Sequence, residues 1–167
     1  GTMQAKMTVN DIKEMKNVLL FWLDRGIGGV RIDAVPHIFE TQFSDGTFPD
    51  EALSGECSDT NSTCYLFQNY TRDLPETYNL IYDWHDLLAD YAKQHGGDQR
   101  IIMTEAYGPL NRILEYYGNS YGRVGSQIPF NFEIMDGVNA NSTPADYKTH
   151  IDNWLNNMPK GAEFVPN

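Results

Sequence analysis

The chain has 167 residues and a formal charge of −11 at pH 7, with a pI near 4.6, which excludes the basic footprint that nucleic-acid binding needs. No apolar run approaches the roughly 20 residues of a membrane span, and no secretory leader is visible at the start. One domain, residues 1–167, is the default for this length.

In chain order, Thr8 or Asn10 can cap a helix whose apolar face is Ile12, Met15, Leu19, Trp22 and Leu23, at helical spacing. Gly26 closes it, and Ile27 to Ile32 read as a short buried strand that runs out at Asp33. Residues 41–75 are rich in Ser, Asp, Asn, Gly and Pro. A loop of that length in a compact domain is usually functional rather than connective. Glu76 to His95 predict the next helix, with Leu80, Trp84, Leu87, Leu88 and Tyr91 on one face and Gly96-Gly97 as its stop. A second apolar strand, 100–104, ends on Glu105, and a helix follows from about Leu110 to Tyr117. Gln127 to Met135 predict a further strand, Pro144 opens a helix to about Asn157, and Glu163 to Val165 begin another strand. Alternating helices and strands predict a parallel α/β architecture. No glycine-rich phosphate loop opens a helix, which argues against dinucleotide binding.

Cys57 and Cys64 are the only cysteines and lie in the polar loop. Sequons occur at Asn61-Ser62-Thr63, Asn69-Tyr70-Thr71 and Asn141-Ser142-Thr143, the last followed by Pro144. A sequon between the two cysteines favours a secreted, disulfide-permissive setting, with Cys57 and Cys64 as a pair and Asn61, Asn69 and Asn141 as glycosylation candidates. A zinc site is not expected, because no histidine has matching spacing.

Asp33 and Glu105 stand at the ends of successive predicted strands, where parallel barrels carry their chemistry. Two carboxylates so placed are what a glycoside hydrolase requires. On residue type alone, Asp33 also suits a helix cap and Glu105 a supporting carboxylate. Arg31 lies two residues before Asp33 and on the same strand face, so a buried guanidinium there would hold Asp33 oriented, or pair with another barrel carboxylate.

The segment G-V-R-I-D-A-V-P-H (29–37) resembles the nucleophile segment of the α-amylase superfamily of glycoside hydrolases, and M-T-E-A-Y (103–107) resembles its acid/base segment. Flanking segments resemble insect-type α-glucosidases (maltases): 14–26, P-H-I-F-E (36–40), D-L-P-E-T (73–77), E-Y-Y-G-N-S (115–120) and Q-I-P-F-N-F-E (127–133). The resemblance covers most of the chain from about Asn10 onward. It implies a partial (β/α)8 TIM barrel, from the helix before strand four to the start of strand seven. A whole barrel usually needs about 250 residues, so the chain reads as a central piece, with the rest of the parent barrel as its partner.

The resemblance makes Asp33 the catalytic nucleophile, Glu105 the catalytic acid/base and Arg31 a substrate-site residue. The reaction implied is retaining hydrolysis of terminal α-1,4-linked glucose from maltose, sucrose or short oligosaccharides by double displacement. Ala34 departs from the valine associated with α-1,6 specificity and so leans towards α-1,4 links. The third catalytic aspartate, in an N-H-D segment, is expected just after Asn167, so the chain by itself is expected to be inactive. The residue matching His37 offers a backbone carbonyl to structural calcium in many α-amylases, and that matching Glu40 a carboxylate in some relatives, so calcium is the one cofactor implied. Tyr107, Phe130, Phe48 and Tyr65 are aromatic candidates for a sugar site, although core packing suits each of them. The parent is expected to be secreted, or anchored to the membrane from outside this chain. A different class is also open: a non-catalytic relative serving as a binding or transporter-associated subunit or surface receptor. Such relatives commonly lose one or both carboxylates, whereas Asp33, Glu105 and Arg31 are all present here.

Overall fold

The computed structural model describes residues 3–5 and 9–159. Its elements are β1 (Met3–Ala5), α1 (Val9–Leu23), β2 (Gly29–Ile32), a single 3-10 turn (Val35–His37), β3 (Thr41–Phe43), α2 (Pro75–His95), β4 (Ile101–Thr104), α3 (Leu110–Leu114), β5 (Ile128–Pro129), α4 (Glu133–Gly137) and α5 (Pro144–Asn157). Three strands form a parallel sheet in the order β2-β4-β5, and β1 pairs antiparallel with β3. The predicted strand at 163–165 and the capping Thr8 lie outside the described residues.

Helix α2 is the centre of the core. Pro75 supplies the preset φ of a first helical residue, and Gly96 ends the helix at φ 73°, which glycine adopts without a steric penalty. Between them Leu80, Trp84, Leu88 and Tyr91 are buried against Leu19 and Leu23 of α1 and Ile102 of β4. Tyr91 also donates its hydroxyl to Asp24 at 3.0 Å. The buried stripe of α1 is narrower than its spacing predicts: Met15 and Trp22 are exposed. Those two share one edge of the helical face, while Leu19 and Leu23, four apart, form the line that meets the core.

The predicted strand over 127–135 is corrected to a two-residue strand followed by a helix. Phe130 N–H still reaches the Thr104 carbonyl at 2.9 Å, but the Asn131 side chain then accepts the Glu133 amide at 3.0 Å. That local bond turns the chain out of the sheet and starts α4. Helix α3 is likewise shorter than predicted, ending at Leu114, and Tyr116 and Tyr117 follow in turns closed by their own amides onto Ile113 and Leu114.

The segment 41–75 is built rather than slack. Its first residues pair as β3, Leu53 bridges Leu66, and Cys57 is disulfide-bonded to Cys64 with Cα atoms 5.9 Å apart. The Glu51 carboxylate accepts the amides of Asn69 (2.8 Å) and Tyr70 (2.6 Å) and the Thr71 hydroxyl (3.1 Å). One carboxylate thereby satisfies three donors where the loop returns to the body of the protein.

Candidate active site

Parallel register brings the strand ends together. Ile32 lies opposite Thr104, so the next residues, Asp33 and Glu105, emerge side by side. Two backbone bonds fix this: Glu105 N–H donates to Ile32 O at 3.0 Å, and Val35 N–H donates to Glu105 O at 3.1 Å. Gly29 permits the pairing to start, because a Cβ there would fall 2.4 Å from the Ile101 carbonyl oxygen. Beyond Asp33, Ala34 takes the left-handed conformation (φ 45°) and turns the chain into Val35–His37.

Arg31 bridges both carboxylates through one nitrogen. Its Nη2 lies 2.8 Å from Asp33 Oδ1 and 2.7 Å from Glu105 Oε2. Those 2.8 and 2.7 Å legs limit the two oxygens to a separation of at most 5.5 Å. Arg31, expected from the sequence to be buried, is instead open to solvent, its side chain 49% exposed. The reason is topological: β2 is an edge of the three-stranded sheet, so among the described residues no further strand lies beyond it to shield the guanidinium. The guanidinium rests over the Phe130 ring, 5.5 Å from its centroid. Asp33 is 75% exposed and Glu105 only 18%, so one carboxylate is open to an incoming group and the other sheltered.

The pair opens into a cleft of about 670 Å³ lined by Asp33, Ala34, His37, Glu105 and Tyr107, with Thr63, Gln68 and Arg72 contributed by the 41–75 loop and Asp136 by α4. Tyr107 is 41% exposed and stacks on Phe132 with centroids 3.8 Å apart, so it presents a supported aromatic edge to the cleft rather than packing in the core. Phe130 lines a smaller neighbouring cavity of about 210 Å³, and neither Phe48 nor Tyr65 reaches the cleft. Thr63, Gln68, Arg72 and Asp136 were not singled out in the sequence. Only the length and polarity of the loop signalled that it would contribute.

His37 lies at the cleft with its ring Nδ1 3.1 Å from the Thr71 carbonyl, and Glu40 is exposed. Among the described residues no group of three or more His, Cys, Asp and Glu is gathered for a metal ion. The His37 carbonyl and Glu40 carboxylate fall well short of the roughly six to eight oxygens calcium takes, so the described residues alone do not fit that ion. Asn61, Asn69 and Asn141 are all exposed.

A parallel strand-helix assembly with a carboxylate at each of two adjacent strand ends, joined by an arginine, defines part of a carboxylate-bearing α/β barrel. The alpha-amylase catalytic domain family matches residues 5–165. The chain belongs to that family. It is 43% identical over 154 residues to Maltase A1 of Drosophila melanogaster, covering 90% of this chain and 26% of that protein. It is 46% identical over 148 residues to a salivary alpha-glucosidase of Aedes aegypti, covering 89% and 25%. At 27% identity over 153 residues it also resembles the human amino acid transporter heavy chain SLC3A1, covering 89% and 21%. Among solved structures, the alpha-glucosyl transfer enzyme XgtA superposes with a TM-score of 0.65 at 18% identity over 92% of this chain and 27% of that one. That likeness carries the fold, a part of a (β/α)8 barrel. The chain spans about a quarter of the length of the curated relatives it matches.

Proposed function

We propose that these residues form the nucleophile and acid/base region of a retaining α-glucosidase acting on short α-1,4-linked glucosides such as maltose. The observation that carries the reading is the Arg31 bridge. Oxygens no more than 5.5 Å apart suit the about 5–5.5 Å separation of a retaining pair, not the roughly 6.5–9.5 Å of an inverting one.

In the first step an Asp33 oxygen attacks the anomeric carbon as Glu105 gives its proton to the departing glycosidic oxygen. The C–O bond breaks, and a glucosyl ester forms on Asp33. In the second step Glu105, now a carboxylate, takes a proton from water. The hydroxide attacks the anomeric carbon and releases Asp33, so both inversions sum to retention. Arg31, bonded to both carboxyl groups in the free site, sets their geometry before the first step, which is the positioning contribution. Activity is assigned to the whole protein rather than to these 167 residues.

The test is maltose hydrolysis by the whole protein carrying Asp33→Asn or Glu105→Gln. Asp33→Asn should abolish turnover. Glu105→Gln should lower it by about 10²–10⁴-fold, with less loss on an aryl glucoside whose leaving group needs no proton. Full activity in Asp33→Asn would end the proposal. The non-catalytic reading is weaker, because nothing in a binding role calls for two carboxylates tied to one guanidinium.

Secretion is proposed from the salivary relatives together with the disulfide, and glycans at Asn61, Asn69 and Asn141 would show as mass lost on enzymatic deglycosylation. Structural calcium through the His37 carbonyl and Glu40 would draw its other ligands from outside these residues. A melting temperature unmoved by calcium would remove it.

A further inference from the structure

Three described non-glycine residues have positive φ: Ala34 (45°), Gln68 (56°) and Asp73 (51°). A side chain held in that region costs energy and persists only where its surroundings over-determine it. Two of the three line the cleft, and the third anchors its loop wall. Asp73 is nearly closed to solvent, its side chain 1% exposed. Its carboxylate accepts the Tyr116 hydroxyl at 2.7 Å and Arg72 Nε at 3.2 Å, and its N–H donates to Pro36 O at 2.9 Å. Arg72 Nη1 in turn donates to Gln68 Oε1 at 3.3 Å. The guanidinium is thus fixed from two sides, and a Cβ on Gly108 would meet its Nη2 at 2.8 Å.

The consequence is a pair of planar, donor-rich groups facing the cleft from the loop side. The Gln68 carbonyl oxygen is taken by Arg72, which leaves its Nε2 amide, with no hydrogen-bond partner among the described residues, as a donor. Arg72 has lining atoms in the same cleft. Its contact with Gly108 places it beside the backbone three residues past Glu105. The acid/base stands at the leaving oxygen, so groups on its side meet the departing sugar rather than the glucose being transferred.

Building on the α-glucosidase reading, we propose that Gln68 and Arg72 recognise hydroxyls of the leaving-group sugar, with Asp73 as the positioning residue behind them. Vicinal hydroxyls are suitable acceptors for an amide and a guanidinium held in this way. The side chains select among leaving groups and take no part in bond breaking.

The experiment compares Gln68→Gly with wild type in the whole protein; glycine accepts the φ of 56° without penalty, so the loop path is kept. Turnover of maltose is set against that of an aryl α-glucoside, whose leaving group offers no sugar hydroxyls. Kd for maltose and for methyl α-glucoside is measured in the Asp33→Asn background, which reads binding whether or not turnover occurs. The expected result is a loss of about three- to tenfold in kcat/KM and affinity for maltose, the scale of one hydrogen bond, with aryl and methyl glucoside values changed less than about twofold. Arg72→Met should show the same selectivity, more strongly. Equal losses on all three ligands would make the wall merely structural and overturn the proposal, as would no change on maltose. Absence of turnover with intact, Gln68-dependent maltose binding would sink the enzymatic reading alone.

Discussion

Replacing Asp73 by asparagine isolates one buried charge without changing shape. The side chain keeps its volume but only one acceptor oxygen, so of the Tyr116 bond at 2.7 Å and the Arg72 bond at 3.2 Å one is lost, and a retained Tyr116 bond is no longer charge-assisted. Tyr116 is fully buried, and hydrogen bonds to charged groups are worth about 1.5–3 kcal/mol. Arg72, 17% exposed, is left with its charge uncompensated at close range. Arg112, 3.6 Å away and 38% exposed, is screened and counts for little. The loss is therefore about 3 kcal/mol, somewhat over a hundredfold in a local opening constant. The assay is hydrogen exchange at the Asp73 amide, which donates to Pro36 O, in the whole protein under conditions where exchange follows the opening equilibrium. Wild type, Asp73→Asn, Tyr116→Phe and the double variant form a cycle whose coupling energy should be about 1.5 kcal/mol. Exchange accelerated less than about threefold, or single effects that simply add, would refute the view that a buried charge holds this loop.

Gly29→Ala should drive β2 from β4, since the new Cβ would lie 2.4 Å from the Ile101 carbonyl oxygen, a backbone atom that cannot swing aside. A stability loss of about 1–3 kcal/mol is expected, with a larger fall in kcat/KM because Arg31 and Asp33 move relative to Glu105; an unchanged melting temperature would show that the strands are not this close. Alkaline titration tests the buried phenols. Burial is the main cause raising Tyr78, Tyr82 and Tyr116, helped at Tyr78 and Tyr116 by the Asp73 charge and at Tyr82 by Glu115, with Tyr82 pushed up to about 12. Above pH 10 the unfolded chain loses these protons while the folded one keeps them, so stability is whole below about pH 10 and falls as pH rises towards the folded values. Each phenol contributes a slope of about 1.4 kcal/mol per pH unit. Tyr82→Phe should flatten the decline between pH 10 and 12, and an equally steep decline in that variant would contradict the assignment.

Local signals carried much of this protein. Pro75 and Gly96 bracket α2 and its apolar spacing points its face, Pro144 opens α5, and the apolar runs before Asp33 and Glu105 mark β2 and β4. Such features depend on neighbours a few residues away, so the chain alone records them. The carboxylates at the strand ends were legible for the same reason, together with the family motifs around them.

Tertiary structure decided what distant residues do together. Whether Arg31 serves one carboxylate or two depends on the register Arg31 opposite Met103, which sets Glu105 beside Asp33. The path of 127–137 turned on a competition between extending the sheet and the Asn131 bond to the Glu133 amide, and the local bond won after two paired residues. Gln68 and Arg72 carry no motif of their own; they reach the cleft because Glu51, the Cys57–Cys64 bridge and buried Asp73 fold a polar loop back onto the strand ends. Periodicity reports which face of an element is apolar, but not which loop closes over it. That choice is made by contacts between residues far apart in the chain, where packing and satisfied hydrogen bonds select one arrangement.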